Sequence, residues 1–255
     1  METKGGASRV QDAFNTNYTG SQELNDTQEN LANYSKSIVS KFYNFYTNNV
    51  RVSDPRILEF GAGSGFLASL WENFDSKKPD CIEIDKNLIA KLRASGFACE
   101  TNIESFQSKF DYIYSSNVLE HIEDDVSVLI QLRKHTFEGG YLALYVPAHQ
   151  FLYNQMDEKI GHYRRYGKKE LKAKVTAAGW EIKSSQWDDF LGFFALGVLK
   201  FVGYKNKVGL GSPISLKVYD LLINPFSRSL DKAGTRFITG KNLLLFAHNP
   251  VRKSN

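Results

Sequence analysis

Glycines alternate at 61, 63 and 65 in the run Arg56-Ile-Leu-Glu-Phe-Gly-Ala-Gly-Ser-Gly-Phe66, just behind the carboxylate of Glu59. Without a Cβ these positions let the backbone turn tightly and come close to a ligand. Ile57, Leu58 and Phe60 predict a buried strand before the turn, and residues 66–74 have helical apolar spacing after it. Free backbone N–H groups are therefore presented at a helix start. Strand, glycine turn and helix open a nucleotide-type α/β unit. A dinucleotide fingerprint is G-x-G-x-x-G, whose last glycine allows close helix packing, and Phe66 stands at that place here. Glu59 would repel a pyrophosphate and attract an ammonium, which favours S-adenosylmethionine (SAM), a ligand carrying both an ammonium and a sulfonium.

More acids and histidines follow at strand ends. Cys81-Ile-Glu-Ile-Asp85 places Glu83 and Asp85 on one side of a second strand by period-two alternation. A carboxylate there can accept from both hydroxyls of a ribose. Thr101-Asn-Ile-Glu104 follows a third strand, and Ser115-Ser-Asn-Val-Leu-Glu-His-Ile-Glu-Asp-Asp125 ends a fourth. If a hydroxyl accepts a methyl group its proton must leave, and His121, His149 or His162 could take it. His162, in Gly161-His-Tyr-Arg-Arg-Tyr166, sits in the loop after the fifth strand, where sheets of this kind admit substrates. His121, at a helix start, is also open to a purely structural reading. Arg164 and Arg165 could bind phosphate or carboxylate bidentately, or one of them could pair with Asp157 or Glu158 to lock the loop. Phe151, Tyr153, Tyr163 and Tyr166 offer walls for an acceptor or ordinary packing. No metal ligands are assigned.

The runs ILEFGAGSG, IEIDKNLIAKLR, SSNVLEHIEDD and GGYLALYVPAHQFLYNQMDEKIGHYRRY together resemble the class I SAM-dependent methyltransferases. The likeness is to the bacterial subgroup with an LEHIEDD run and a later GHxRRY motif, and it extends from Tyr34 to Pro250. It implies an α/β, Rossmann-like fold with a seven-stranded, mostly parallel sheet and helices on both faces. An N-terminal helix and a helical insertion before the last strand complete it. SAM is the implied cofactor and S-adenosylhomocysteine the product. By this resemblance Gly61, Ala62, Gly63 and Gly65 lie against the cofactor and Glu59 near its amino group. Glu83, with Ile84 beside it and Asp85 as second claimant, would hold the ribose. Asn102 stands where such families often carry an Asp for the adenine amine; its amide oxygen can still accept from that amine. Ile103 would pack on the ring, and Ser116 and Asn117 would line the methionine side. The catalytic candidates are His162 and His121, and the substrate side falls to Tyr153, Tyr163, Arg164 and Arg165. Similar methyltransferases often serve glycan or lipid-linked sugar pathways, so the expected acceptor is a small molecule or a lipid- or sugar-linked group, methylated at oxygen.

The elements that must position these residues alternate. Leu31, Tyr34, Ile38, Phe42 and Phe45 predict a helix over 29–46. Strands are expected at 81–85, 97–99, 110–115, 141–146, 180–187 and 243–248, the fifth strand of the sheet beginning after a break at Gly139-Gly140. Helices are expected at 87–94, 124–135 and 168–178, the last stopped by Gly179. This alternation implies a parallel sheet covered on both faces. Residues 1–28 read as a mobile arm and 29–255 as one domain, with substrate or lid elements at 147–167 and 189–240. At 255 residues, 42% hydrophobic and 24% charged, the chain suits such a domain. Cys81 and Cys99 read as buried thiols of a reducing compartment. The polar N-terminus has no apolar core of a secretion signal, so a cytoplasmic location is expected.

The net charge of +4 hides a division. Residues 1–158 carry 14 Lys+Arg against 22 Asp+Glu, and residues 159–255 carry 18 against 6. The C-terminal part is expected to face something anionic: a lipid or sugar phosphate, or a membrane surface. Nucleic acid fits the charge, but no motif that reads it is present. Residues 190–202 are apolar on all sides, yet a membrane span needs about 20 residues. A pocket wall fits, and so does an interfacial element with Lys200, Lys205 and Lys207 at the headgroups. Two other classes stay open: an NAD-dependent oxidoreductase, against which Glu59 and Phe66 argue, and a non-catalytic SAM-fold module docking on an anionic membrane or a partner. The oligomeric state is left open.

Overall fold

The computed structural model describes residues 30–202 and 212–251; the arm expected at 1–28, and Lys205 and Lys207, lie outside them. Seven strands form one sheet: β1 (Ile57–Phe60), β2 (Asp80–Ile82), β3 (Cys99–Glu100), β4 (Phe110–Ser116), β5 (Thr136–Pro147), β6 (Glu181–Asp188) and β7 (Asn242–His248). Their order is β3-β2-β1-β4-β5-β7-β6. The first five are parallel, and β7 runs antiparallel to both of its neighbours. Among the described residues nine α-helices connect and cover them: α1 (Ala32–Asn49), α2 (Phe66–Glu72), α3 (Lys86–Ala94), α4 (Asp125–Lys134), α5 (Gln155–Lys159), α6 (Lys168–Ala177), α7 (Phe190–Val202), α8 (Pro213–Val218) and α9 (Asn224–Ala233). A π-helical turn, Tyr219–Ile223, joins α8 to α9 without a break.

Alternate strand residues face opposite sides of the sheet and build two cores. Leu58, Ile113, Leu144 and Leu245 meet Leu129 of α4 and Val175 of α6 on one face. Ile57, Tyr112, Tyr114 and Tyr145 meet Phe42 of α1 and Trp71 of α2 on the other. The central strands are apolar at nearly every position because both of their faces are covered.

Several expected boundaries move: β3 is Cys99–Glu100 rather than 97–99, and two further shifts have a visible cause. β2 stops at Ile82, because Asp85 caps α3 instead of extending the strand: its Oδ1 accepts from the N–H groups of Asn87 and Leu88 at 2.7 and 3.2 Å. β5 begins at Thr136 and passes through Gly139 and Gly140. Its pairing with β4 shifts register between Phe110 and Tyr112, and a Cβ on Gly140 would lie 2.9 Å from the Asp111 carbonyl oxygen. The glycine pair bends the strand at a bulge rather than ending it.

The insertion between β6 and β7 is tied to the start of the fold. No side chain of α1 caps its own N-terminus. Asp220 does so from the π turn, accepting the backbone N–H groups of Asn33 and Tyr34 at 3.0 and 2.7 Å across 187 positions of sequence.

Candidate active site

The carboxyl ends of β1, β2, β3 and β4 bring the cofactor candidates to one edge of the sheet, where open α/β sheets bind ligands. Backbone bonds shape the glycine turn: the N–H groups of Gly61 and Ala62 both donate to the Ile82 carbonyl at 2.9 Å. Gly61 and Gly65 have φ of 79° and 80°, and Gly63 is also left-handed at 55°. A Cβ on Gly61 would meet Val118 Cγ2 at 2.3 Å, and one on Gly65 would meet Leu92 Cδ2 at 2.6 Å. Space and dihedral therefore both demand glycine there.

Glu83 closes this turn. Its Oε2 accepts the Gly63 N–H at 2.7 Å, and its Oε1 accepts those of Ile84 and Asp85 at 2.7 and 3.0 Å. Glu59 is buried, with the Tyr114 hydroxyl donating to its Oε2 at 3.0 Å. Burial pushes its carboxyl up to about 8; the Tyr114 bond opposes this, and the nearby Glu83 charge adds to it. Asn102 caps a 3₁₀ turn, Ile103–Ser105, by accepting the Glu104 N–H at 3.0 Å, which leaves its amide nitrogen and one oxygen lone pair. With buried Ile103 it lines a crevice shared with Phe60, Ile82, Val128 and Gln131. Asn117 has φ of 53° and donates its amide to Ser116 Oγ at 3.2 Å.

The motif after β4 and the loop after β5 fold onto each other. Asp125 is the hub: its Oδ2 accepts from Arg164 Nη1 at 2.7 Å, the Tyr166 hydroxyl at 2.8 Å and Lys174 Nζ at 2.6 Å. The Tyr163 N–H donates to the Glu120 carbonyl at 2.8 Å. Arg165 Nε donates to both oxygens of Asp157 at 2.9 Å, and Asp157 Oδ1 lies 2.8 Å from His162 Nδ1. Burial alone would raise Asp157, but the bonds from His162 and Arg165 outweigh it and hold the carboxyl below its ordinary range. His162 Nε2 is 3.8 Å from Glu120 Oε1, and the His121 ring meets the His162 ring edge-on at 4.5 Å. Burial, and then the neighbouring His162, push His121 down to about 3.

Both arginines, read from sequence as anion binders or loop locks, thus have carboxylates on their guanidinium groups. The Tyr153 hydroxyl donates to the His162 carbonyl at 2.6 Å, while the Tyr163 ring is exposed under the Arg164 guanidinium. His149 stands apart, stacked on Trp187 at 4.4 Å. Asp157 as the partner of His162, and Asp125 as hub, are contacts that spacing alone did not reveal. Glu120, His121 and His162 also bring ligand atoms within 4.8 Å of one another, a grouping able to hold a cation that no motif spacing signalled. Cys81 and Cys99 are register partners on β2 and β3, and both are free, buried thiols.

The methyltransferase-domain family matches residues 29–185. No curated protein sequence matches the chain. Among solved structures, a SAM-dependent methyltransferase from Thermotoga maritima superposes with a TM-score of 0.56 at 14% identity, covering 91% of this chain and 98% of that one. Another from Archaeoglobus fulgidus gives 0.53 at 12% identity over 84% and 94%. A Haemonchus contortus phosphoethanolamine N-methyltransferase in complex with SAM gives 0.53 at 13% identity over 83% and 53%. These likenesses show the fold, and the family match covers more than half of the chain. The oxidoreductase reading falls with them, as Phe66 and Glu59 already argued. The chain belongs to the methyltransferase-domain family and is a class I SAM-dependent methyltransferase.

Proposed function

We propose that this enzyme methylates a hydroxyl of a small-molecule or lipid- or sugar-linked acceptor in the cytoplasm, with His162 taking the departing proton. The observation that carries this reading is the Asp157–His162 pair. A carboxylate 2.8 Å from Nδ1 orients the ring with its N–H on Nδ1, so that Nε2, 3.8 Å from Glu120 Oε1, is the nitrogen that would take a proton, as a general base with its orienting partner requires. His121, at about 3, is too weak a base at neutral pH, so its part is to position the His162 ring. Arg164 and Arg165 hold the loop through Asp125 and Asp157, leaving Tyr163 and Tyr153 to face the acceptor.

The residues at the sheet edge fit SAM. Gly61, Ala62, Gly63 and Gly65 form the turn that would cradle it, with no room for a Cβ at Gly61 or Gly65. Glu59 would receive the ammonium, Glu83 with Ile84 the ribose, Asn102 and Ile103 the adenine, and Ser116 and Asn117 the methionine side. Bound there, SAM supplies an electrophilic methyl group. Alignment and exclusion of water by the surrounding side chains can then provide much of the rate.

His162→Asn is expected to lower kcat by about 10²–10⁴-fold with SAM affinity unchanged. The assay follows labelled methyl from SAM into hydroxyl-bearing free and lipid-linked sugars, where an ether linkage survives alkali. Full turnover by the variant, or label found only on nitrogen, would reject the proposal.

Glu59 makes SAM affinity depend on pH. With its carboxyl near 8 it is mostly neutral at pH 6–7, and an arriving ammonium favours the ionised form, so a proton leaves on binding. Affinity should rise with pH through that range, by up to about tenfold per unit. Calorimetry in buffers of different ionisation enthalpy counts the released proton, and Glu59→Gln should abolish the slope.

A further inference from the structure

Residues 213–233 form one unbroken helical rod of α8, the π turn and α9, and its amphipathicity is inverted. Ile214, Val218, Leu221, Leu222 and Phe226 recur at helical spacing and are all exposed. Leu216 apart, the buried side is polar: Asp220, Asn224, Ser227 and Asp231. Hydrogen bonds inside the protein hold three of these four residues, Asp220, Ser227 and Asp231. Asp220 caps α1, Ser227 donates to Asp189 Oδ1 at 3.0 Å, and Asp231 accepts the Asp189 N–H at 2.9 Å. A helix on a soluble protein normally turns its apolar stripe inward. This one shows it to solvent, and the patch continues. Phe194 and Val198 of α7, packed against α9, and Phe237 and Ile238 beyond it are also more than half exposed. Of fifteen exposed large hydrophobics among the described residues, ten lie between 194 and 238. So dense an apolar patch marks a docking surface.

Charge selects the occupant. Between residues 189 and 240 the acidic side chains are Asp189, Asp220 and Asp231, and all three are buried. Lys200, Lys217 and Lys232 are exposed around the apolar stripe, and Arg236 lies 5.0 Å from the Phe237 ring centre. A second copy would bring two cationic rims together, whereas an anionic bilayer complements both the rim and the apolar centre. Among the described residues no helix is long and apolar enough to cross a membrane, so this face lies on the surface. The face also adjoins the substrate loop, because Lys200 Nζ donates to the carbonyls of Phe151 and Tyr153.

We infer that the face built by α7, α8, the π turn and α9 docks on anionic membrane. This deepens the lipid-linked reading of the acceptor but is tested without turnover. The full chain should sediment with vesicles of phosphatidylcholine and phosphatidylglycerol and stay in solution with phosphatidylcholine alone. Leu222→Ser combined with Phe226→Ser should weaken this binding about tenfold or more, and so should Lys217→Glu combined with Lys232→Glu. SAM titration of each variant should match that of the native chain, which separates lost docking from lost fold. If the native chain fails to sediment, or if both double variants bind vesicles as it does, the inference is overturned. It is equally overturned if the protein is a dimer in sedimentation velocity that Leu222→Ser with Phe226→Ser dissolves. Failure of the native chain to bind SAM would touch the cofactor assignment alone.

Discussion

Gly61→Ala is expected to abolish useful SAM binding, with affinity reduced by about 100-fold or more, and to cost about 1–3 kcal/mol of stability. The left-handed dihedral alone disfavours any residue with a Cβ by roughly 1–2 kcal/mol. The new methyl would also sit 2.3 and 2.8 Å from the two γ-carbons of Val118. Valine is stiff at χ1, so relieving the clash takes an unfavourable rotamer or a shift of backbone. Either choice is harmful. Moving residue 61 spoils the cradle, and moving Val118 displaces the turn that carries Glu120 and His121. Calorimetric titration with SAM and thermal unfolding measure both effects. Val118→Ala added to Gly61→Ala should recover part of the stability, because it removes the clash but not the dihedral cost. An alanine variant with native SAM affinity would show that the close approach at Gly61 is not needed by the cofactor.

The second large effect belongs to Asp125. This buried carboxylate accepts from Arg164, Tyr166 and Lys174 at once, so Asp125→Ala strands two cations and a hydroxyl in a partly enclosed site. Removing one partner of a buried ionic contact typically costs about 3–5 kcal/mol. In a chain of this length that corresponds to roughly 6–20 °C in Tm. Asp125→Asn, which keeps an acceptor oxygen, should lose clearly less. Glu158→Ala, an exposed control on the same loop, should stay within about 0.5 kcal/mol. Hydrogen exchange should show faster opening of residues 160–166 in Asp125→Ala, because the clamp between the two motifs is gone. Unchanged exchange there would mean that the loop is held by its other contacts.

The glycine turn at the end of β1 was legible in the sequence because most of its determinants are local. Three glycines within five residues and an acid at the next strand end act through backbone, and the structure brings them together with Glu59, whose own partner, Tyr114, is distant in sequence. The glycine pair at 139–140 misled for the same local reason. Read alone it signals a break, whereas the bulge opposite Asp111 exists only when β4 and β5 pair. Charged residues were the least legible. Asp125, Asp157, Glu158 and Glu123 were all available to Arg164 and Arg165, and only the folding of one loop onto another settles which pairs form. The rod at 213–233 was opaque in a further sense. Its apolar spacing is that of any packed helix, and nothing in the residues themselves says that Asp220 and Asp231, rather than Leu222 and Phe226, turn inward.

The reach of Asp220 across 187 residues also sets a timetable. At synthesis rates of about 5–20 residues per second, the start of α1 emerges some 10–40 s before the side chain that closes it. Through that interval the N–H groups of Asn33 and Tyr34 have only water. The first of the described helices is therefore among the last elements to be completed. A nascent chain arrested ahead of residue 220 would lack the acceptor that closes the first turn of α1, so that turn should fray until the C-terminal insertion is made.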